Sequence, residues 1–267
     1  MTNTEVHDAD LNPVLEQATN EELEILVNIL KAKLSETLSI ENAYKRHYPD
    51  HRMYADLIAK ELRDFGGNSI ANVFRGEGPP YREIVCDVAK AIKAPFNRES
   101  DVERIEAAIL ATILSKAFEK MSEEERETLL QQVGRSNRSA LAGGSAAAFL
   151  AIFNAGGFAS YKLMLIVVNA VVKAAIGRGL PLVANTALAR VMGIATVPVG
   201  WALTTLITLI QIAGPSYKVT IPGVAYVAML RMVQATQDQF ACMKCGASVA
   251  GNFRFCPECG QEIDTSS

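Results

Sequence analysis

Residues 128–237 contain no aspartate or glutamate, although the chain as a whole carries 29 acidic side chains against 26 lysines and arginines. Histidine is nearly as sparse, with His7, His47 and His51 the only ones. Tyr48-Pro49-Asp50 separates the last two, and proline interrupts the helix that would bring an i, i+4 histidine pair onto one metal ion. No glycine-rich loop follows a strand to cradle a phosphate, and no nucleophile elbow is present. The carboxylates fall on predicted solvated helix faces. Together these absences argue against an enzyme. The first residues, Met1-Thr2-Asn3-Thr4-Glu5, are polar and acidic where a secretory leader is basic and apolar, so a reducing cytoplasm is expected and secretion is not.

The charge that is present is sharply partitioned. Residues 1–127 hold 25 acidic and 16 basic side chains, a net −9. Residues 128–237 hold Arg135, Arg138, Lys162, Lys173, Arg178, Arg190, Lys218 and Arg231, a net +8. The formal charge of −3 therefore averages over two oppositely charged blocks. A chain of 267 residues with 49% hydrophobic content suits two compact units and a small appendage. The expected division is an acidic helical domain over 1–137, a hydrophobic acid-free helical domain over 138–237, and a metal module over 238–267.

Four of the five cysteines crowd into that last segment as Cys242-Met243-Lys244-Cys245 and Cys256-Pro257-Glu258-Cys259, two Cys-x-x-Cys pairs ten residues apart. This spacing brings four thiolates around one tetrahedral zinc ion. Gly246 and Gly260 follow the pairs, and glycine takes the left-handed backbone that turns amides toward the cysteine sulfurs. Val249, Phe253 and Phe255, around Ala250-Gly251-Asn252, suggest a short β-hairpin turning at Gly251. The tail resembles the zinc-ribbon modules of prokaryotic proteins. Four thiolates leave no open coordination position, so the zinc is expected to be structural and the ribbon to serve protein contacts. Disulfides are the alternative, and a reducing compartment favours the metal. Cys86, in Ile84-Val85-Cys86-Asp87-Val88, reads as a small buried hydrophobe.

The acidic block reads as helices throughout. Pro13 sits at the start of a short one, and Thr19-Asn20-Glu21-Glu22 is a capping box that opens a second with Leu23, Leu26, Val27 and Leu30 on one face. Asp50 is expected to cap a helix carrying Tyr54, Leu57, Ile58, Leu62 and Phe65 that stops at Gly66-Gly67. An amphipathic helix runs from Tyr81 to Ile92 after Pro79-Pro80, Ser100 is expected to cap a long helix through Phe118, and Ser122-Glu123-Glu124-Glu125 opens another that ends near Val133.

Two stretches carry a family likeness. Phe65-Gly66-Gly67-Asn68-Ser69-Ile70-Ala71-Asn72-Val73-Phe74-Arg75, continuing through Gly78 and Pro80-Tyr81-Arg82-Glu83-Ile84, resembles a signature of the YaaW-like family of bacterial proteins, sometimes grouped with the ubiquinol–cytochrome c chaperones. Gly214-Pro215-Ser216-Tyr217-Lys218-Val219-Thr220-Ile221-Pro222 resembles its second signature, and with the Asp8-Ala9-Asp10-Leu11-Asn12-Pro13 opening the likeness spans roughly residues 8–236. The resemblance implies no catalytic residues, and the cysteine-rich tail is an addition to the family's common core. Arg75 and Arg82 have the chemistry to clamp an anion or to pair with neighbouring carboxylates, the more ordinary role.

In the acid-free block, residues 139–161 and 191–217 are uncharged runs long enough to cross a bilayer, which takes about 20 apolar residues. Gly156-Gly157 and Pro198-Val199-Gly200 break them into pieces that suit buried helices or a helical hairpin. Gly143, Ala147, Ala151 and Ala155 recur every four residues, a smooth stripe for close helix approach. Scattered basic side chains and Trp201 near the hairpin tip point to association with an anionic membrane surface, at roughly 1 kcal/mol per nearby Lys or Arg. The competing arrangement is a buried helical core whose positive charge the acidic block neutralises. Nucleic acid fits poorly, because the cations are dispersed among apolar residues.

The sequence thus predicts an all-α, non-enzymatic bacterial protein, cytoplasmic and associated with the inner membrane, with a hydrophobic helical hairpin and a C-terminal β-hairpin zinc ribbon. One structural Zn2+ is expected on Cys242, Cys245, Cys256 and Cys259, an unidentified protein partner on the ribbon, and oligomers are allowed. The alternative is a soluble helical adaptor or chaperone-like protein.

Overall fold

Helix signals in the sequence are met by hydrogen bonds in the computed structural model, which describes residues 7–31, 42–66, 78–133, 150–151, 153–154, 157–177, 217–235, 239–242, 248–250 and 260–261. Helix α1 (Asn12–Gln17) begins with proline in its first turn, where the missing N–H costs nothing. Helix α2 (Asn20–Lys31) opens on the capping box: the Thr19 amide donates to Glu22 Oε2 at 2.8 Å and the Glu22 amide to Thr19 Oγ1 at 3.2 Å. The short α3 (Asn42–His47) is followed by a 3-10 turn (His51–Tyr54) and α4 (Ala55–Gly66). Next come α5 (Tyr81–Ala91), α6 (Val102–Lys120) and α7 (Glu123–Val133), the last opened by a second reciprocal box between Ser122 and Glu125. From the acid-free block, α8 (Gly157–Ile176) and α9 (Tyr217–Ala235) are described.

Two expected caps are corrected. Asp50 precedes the 3-10 turn and makes no side-chain cap bond, and α6 starts at Val102 after Asp101, which makes none either. Ser100 instead offers its carbonyl to Arg82. Its side chain is therefore not what stops the helix from fraying; the burial of Val102, Ile105 and Ile109 holds the first turns down.

Helix α9 decides the architecture. Its sequence is a poor helix former, with Pro222 in its interior, Gly223, and several β-branched residues. Every residue from Val219 to Leu230 is nonetheless buried, and a helix apolar on all sides is the signature of a core element. It packs on α8 and, from the acidic block, on α1, α2, α4, α5 and α6. Helix α8, buried at Leu163–Val168, packs on α2, α6 and α7 as well. The change in charge near residue 128 is therefore not a packing boundary for these two helices. They share one hydrophobic core with Leu26, Ile58, Leu62, Ile84 and Ile109 of the acidic block, and Cys86 is buried in it.

The apolar surface of α8 and α9 is spent on other helices. Among the described residues no helix is long and apolar enough to cross a membrane. Most of the uncharged runs, the hairpin tip with Trp201, and Gly143, Ala147 and Ala155 lie outside the described residues. At the C-terminus, β1 (Gln239–Ala241) pairs antiparallel with β2 (Ser248–Ala250), with Phe240 opposite Val249 and Ala241 opposite Ser248. In sequence, the residues between the two strands, 242–247, include the first cysteine pair. Of the hairpin expected to turn at Gly251, Val249 and Ala250 lie in β2 and pair with β1, while Gly251, Asn252, Phe253 and Phe255 lie outside the described residues.

Candidate functional site

The opening segment, the Gly78–Ile84 signature and α9 meet in one buried polar seam. Asp8 lies at its start, 7% exposed. Its Oδ1 accepts the amides of Asp10 (3.0 Å) and Leu11 (3.1 Å), which organises the entry to α1, as a short acidic side chain does at a helix start. Its Oδ2 accepts the Tyr81 amide at 2.7 Å and faces Arg63 Nε at 3.7 Å. Arg63 is buried on α4 and donates Nε to the Pro79 carbonyl and Nη2 to the Gly78 carbonyl, each at 3.0 Å. The Gly78 amide returns a bond to Asp64 Oδ1 at 2.8 Å. The signature segment is thereby laid along the C-terminal turn of α4.

Glycine is required where that approach is tightest. A Cβ on Gly78 would overlap the backbone carbonyl of Arg63 and the amide nitrogen of Asp64, and one on Gly66 would overlap Ile84. The signature glycines thus serve close packing of α4 against the Gly78–Pro80 segment and α5.

The seam continues through Tyr81 to a buried ion pair. The Tyr81 hydroxyl donates to Glu106 Oε1 at 2.8 Å, and Arg231 Nε donates to Glu106 Oε2 at 2.9 Å. Both carboxylate oxygens therefore have a donor. Arg231 Nη1 lies 3.4 Å from Glu103 Oε1, and Nη2 donates to the Asp10 carbonyl. Burial pushes the Glu106 carboxyl up to about 7, with Arg231 and the Tyr81 hydroxyl pulling it back. Tyr81 is held well above its ordinary value, first by burial and then by Glu106. Burial pulls Arg231 down, but Glu106 more than compensates and leaves it raised. One cation of the acid-free block is in this way neutralised by carboxylates of the acidic block. Two further bonds tie α9 down: Tyr226 donates to the Glu22 carbonyl (3.0 Å) and Gln234 to the Val14 carbonyl (2.8 Å).

Arg82 takes the ordinary role: it sits 3.8 Å from Asp10 Oδ2 and donates to the carbonyls of Arg98 (3.1 Å) and Ser100 (2.8 Å). Arg75 lies outside the described residues. Of the four expected zinc ligands, Cys242 is buried at the end of β1, while Cys245, Cys256 and Cys259 are not described, so the tetrad cannot be assembled from the described residues. His51 is buried, with Nδ1 hydrogen bonded to the Tyr54 hydroxyl, and burial lowers its pKa. Helix α3 ends at His47, so the two histidines do not share a helix.

Sequence inspection passed over Asp8, Arg63, Tyr81, Glu106 and Arg231 as a group. Two signals were present. Glu106 lies on the α6 face that carries Val102, Ile109 and Ile113, and Arg231 lies on a helix with no acidic residue of its own. A charge on an apolar face must find its counter-charge on another element.

The described geometry sits beside a clear pattern of kinship. Residues 50–225 match the model of a family described as ubiquinol-cytochrome C chaperone. A UPF0174 protein of Helicobacter pylori strain J99 is 44% identical over 210 residues, covering 76% of this chain and 81% of the relative. A second, from another H. pylori strain, is 37% identical over 74% of this chain and 98% of its own length. The UPF0174 protein YaaW of Escherichia coli O157:H7 is 33% identical over 244 residues, 87% of this chain and 98% of the relative. No solved structure matches.

Proposed function

Since this chain belongs to the ubiquinol-cytochrome C chaperone family and to the UPF0174 group that includes YaaW, we propose that it is a chaperone-like, non-enzymatic helical protein that acts by binding other proteins. The observation that carries this reading is the enclosure of α9. Among the described residues of the acid-free block, α9 has the longest buried run; it is surrounded by α1, α2, α4, α5, α6 and α8, and its arginine is matched by Glu106 and Glu103. A cationic apolar helix consumed in this way has nothing left to offer to lipid. The polar seam supports the non-enzymatic part, because both oxygens of Glu106 and of Asp8 are engaged by protein donors.

Liposome flotation of the full-length chain tests this. The expected result is that the protein stays with the soluble fraction in the presence of neutral and of anionic vesicles at about 0.15 M salt, and elutes without detergent as a monomer or small oligomer. Flotation that survives high salt and carbonate would replace the reading with membrane insertion.

The C-terminal segment belongs in this proposal as a structural zinc ribbon, with one Zn2+ held by Cys242, Cys245, Cys256 and Cys259. Support comes from the Cys-x-x-Cys spacing, from the β1–β2 pairing on either side of the first pair in sequence, and from the burial of Cys242. Bound zinc would fold the segment and fix its surface for contact with a protein partner. Purified protein is expected to hold about one zinc per chain, and Cys256→Ser to lose it while helical circular dichroism and the main thermal transition are retained. Unchanged zinc content in that variant would remove Cys256 from the site.

A further inference from the structure

Among the described residues, the large hydrophobic side chains that stand exposed are Tyr48, at 58%, and Met53, at 60%. They lie five residues apart on the elbow made by α3 and the 3-10 turn, two elements that pack on each other. This elbow is held firmly. The Tyr44 ring, itself buried, lies 5.2 Å from that of Tyr48 and 5.6 Å from that of Tyr54, and the His51 ring lies 6.0 Å from Tyr48 and 5.6 Å from Tyr54. Lys31 donates to the Tyr44 hydroxyl at 2.8 Å, and Asn20 bridges the Pro49 carbonyl and the His51 amide. Tyr48 and Met53 therefore project from a braced turn, which presents an anchor site with little ordering cost.

The charge around them is opposite to that of the surrounding block. Lys45, Arg46 and Arg52 are exposed on the same elbow with Asp50 as its single acid, and among the described residues none of the three cations has an ion-pair or hydrogen-bond partner. The block in which this patch sits carries a net −9. A broad anionic surface, such as a membrane or a nucleic-acid duplex, would meet those neighbouring carboxylates as well and be repelled. A single acidic segment would meet only the patch. Large apolar anchors rimmed by charge are the usual anatomy of a protein-binding hot spot.

We propose that the α3 elbow is a docking site for an acidic protein segment bearing an aromatic or aliphatic anchor, which packs on Tyr48 and Met53 while its carboxylates pair with Lys45, Arg46 and Arg52. The inference rests on the protein-binding reading above and gives it a surface and a partner chemistry.

Fluorescence anisotropy with the full-length chain tests it, using a labelled peptide of alternating glutamate and phenylalanine, a glutamate–serine peptide without anchors, and a lysine–phenylalanine peptide. The expected order places the glutamate–phenylalanine peptide first. Its affinity falls on the order of ten-fold in Lys45→Glu/Arg52→Glu and again in Tyr48→Ala/Met53→Ala. Lys45 and Arg52 are exposed, so Lys45→Glu/Arg52→Glu is expected to keep the wild-type melting temperature, whereas Tyr48→Ala/Met53→Ala gives up the Tyr48 ring contacts with Tyr44 and His51 and is expected to melt lower while keeping its helical circular dichroism, which confirms that both fold. Undiminished peptide binding by both variants overturns the elbow while leaving the protein-binding reading intact. Absence of peptide binding with retention on anionic vesicles overturns both. Concentration-dependent self-association that disappears in the variants also overturns the proposal, by making a second copy of the chain the occupant.

Discussion

Replacing Arg231 with methionine is expected to destabilise the protein by about 3–5 kcal/mol at pH 8, the usual consequence of stranding a buried carboxylate. Glu106 is 2% exposed and would keep only the Tyr81 hydroxyl as a strong donor. The loss is expected to shrink toward pH 5, where the stranded carboxyl takes up a proton and no longer needs its counter-charge. The double variant Arg231→Met/Glu106→Gln is expected to recover most of the stability, because the amide still accepts from Tyr81 and carries no charge. Urea denaturation of the two variants at both pH values measures this. A cost below about 1 kcal/mol for the single variant would mean that the pair behaves as a surface salt bridge and does not lock α9 into the core.

The same pair predicts how the wild-type protein responds to pH. Burial raises the folded carboxyl of Glu106 from 4.5 to about 7. A raised value means that the folded state holds its proton longer than the unfolded state does. This contribution to stability is therefore complete below pH 4.5 and lost as pH rises through 7, an amount on the order of 3 kcal/mol. His51 acts in the opposite sense: its folded value is lowered by burial, so its contribution is present above 6.5 and lost as pH falls. Glu106→Gln removes the first effect alone. The stability of wild type relative to that variant is expected to decline between pH 5 and 7.

Gly78→Ala is expected to cost about 2–3 kcal/mol, because the added methyl group meets main chain that cannot rotate away. Its Cβ would overlap the carbonyl of Arg63 and the amide of Asp64, both within α4. Relief requires moving the Gly78–Pro79 segment off α4, which breaks the two Arg63 bonds to its carbonyls and the Gly78 amide bond to Asp64. Gly223→Ala is the informative comparison. There the Cβ meets only Leu62 Cδ1, at 2.8 Å, the end of a flexible side chain, and a loss of about 1 kcal/mol is expected. Thermal unfolding of both variants separates backbone overlap from side-chain overlap, and equal losses would sink the distinction.

Helix positions and capping boxes were legible in the sequence because they depend on neighbours three or four residues away. The Thr19–Glu22 and Ser122–Glu125 boxes formed as their spacing required. Asp50 and Ser100 show the limit of that reading: each has a capping side chain, yet the chain leaves the preceding turn in a geometry that uses neither. The signature segments were visible as patterns but not as a seam. Asp8 meets Tyr81 across 73 residues and Glu106 meets Arg231 across 125, and no local spacing encodes such pairs.

From the sequence alone come the helical class, the charge partition, the family likeness and the cysteine spacing, since each is a property of composition or of short-range order. The destination of α8 and α9 was decided only by tertiary structure. An apolar helix with one arginine satisfies its hydrophobicity equally well against lipid or against other helices, and the sequence of α9 is the same in both cases. What tips the balance is that α6 brings a buried glutamate within 2.9 Å of that arginine while α1, α2, α4 and α5 supply apolar faces around it, so burial in the protein satisfies charge and hydrophobic surface together.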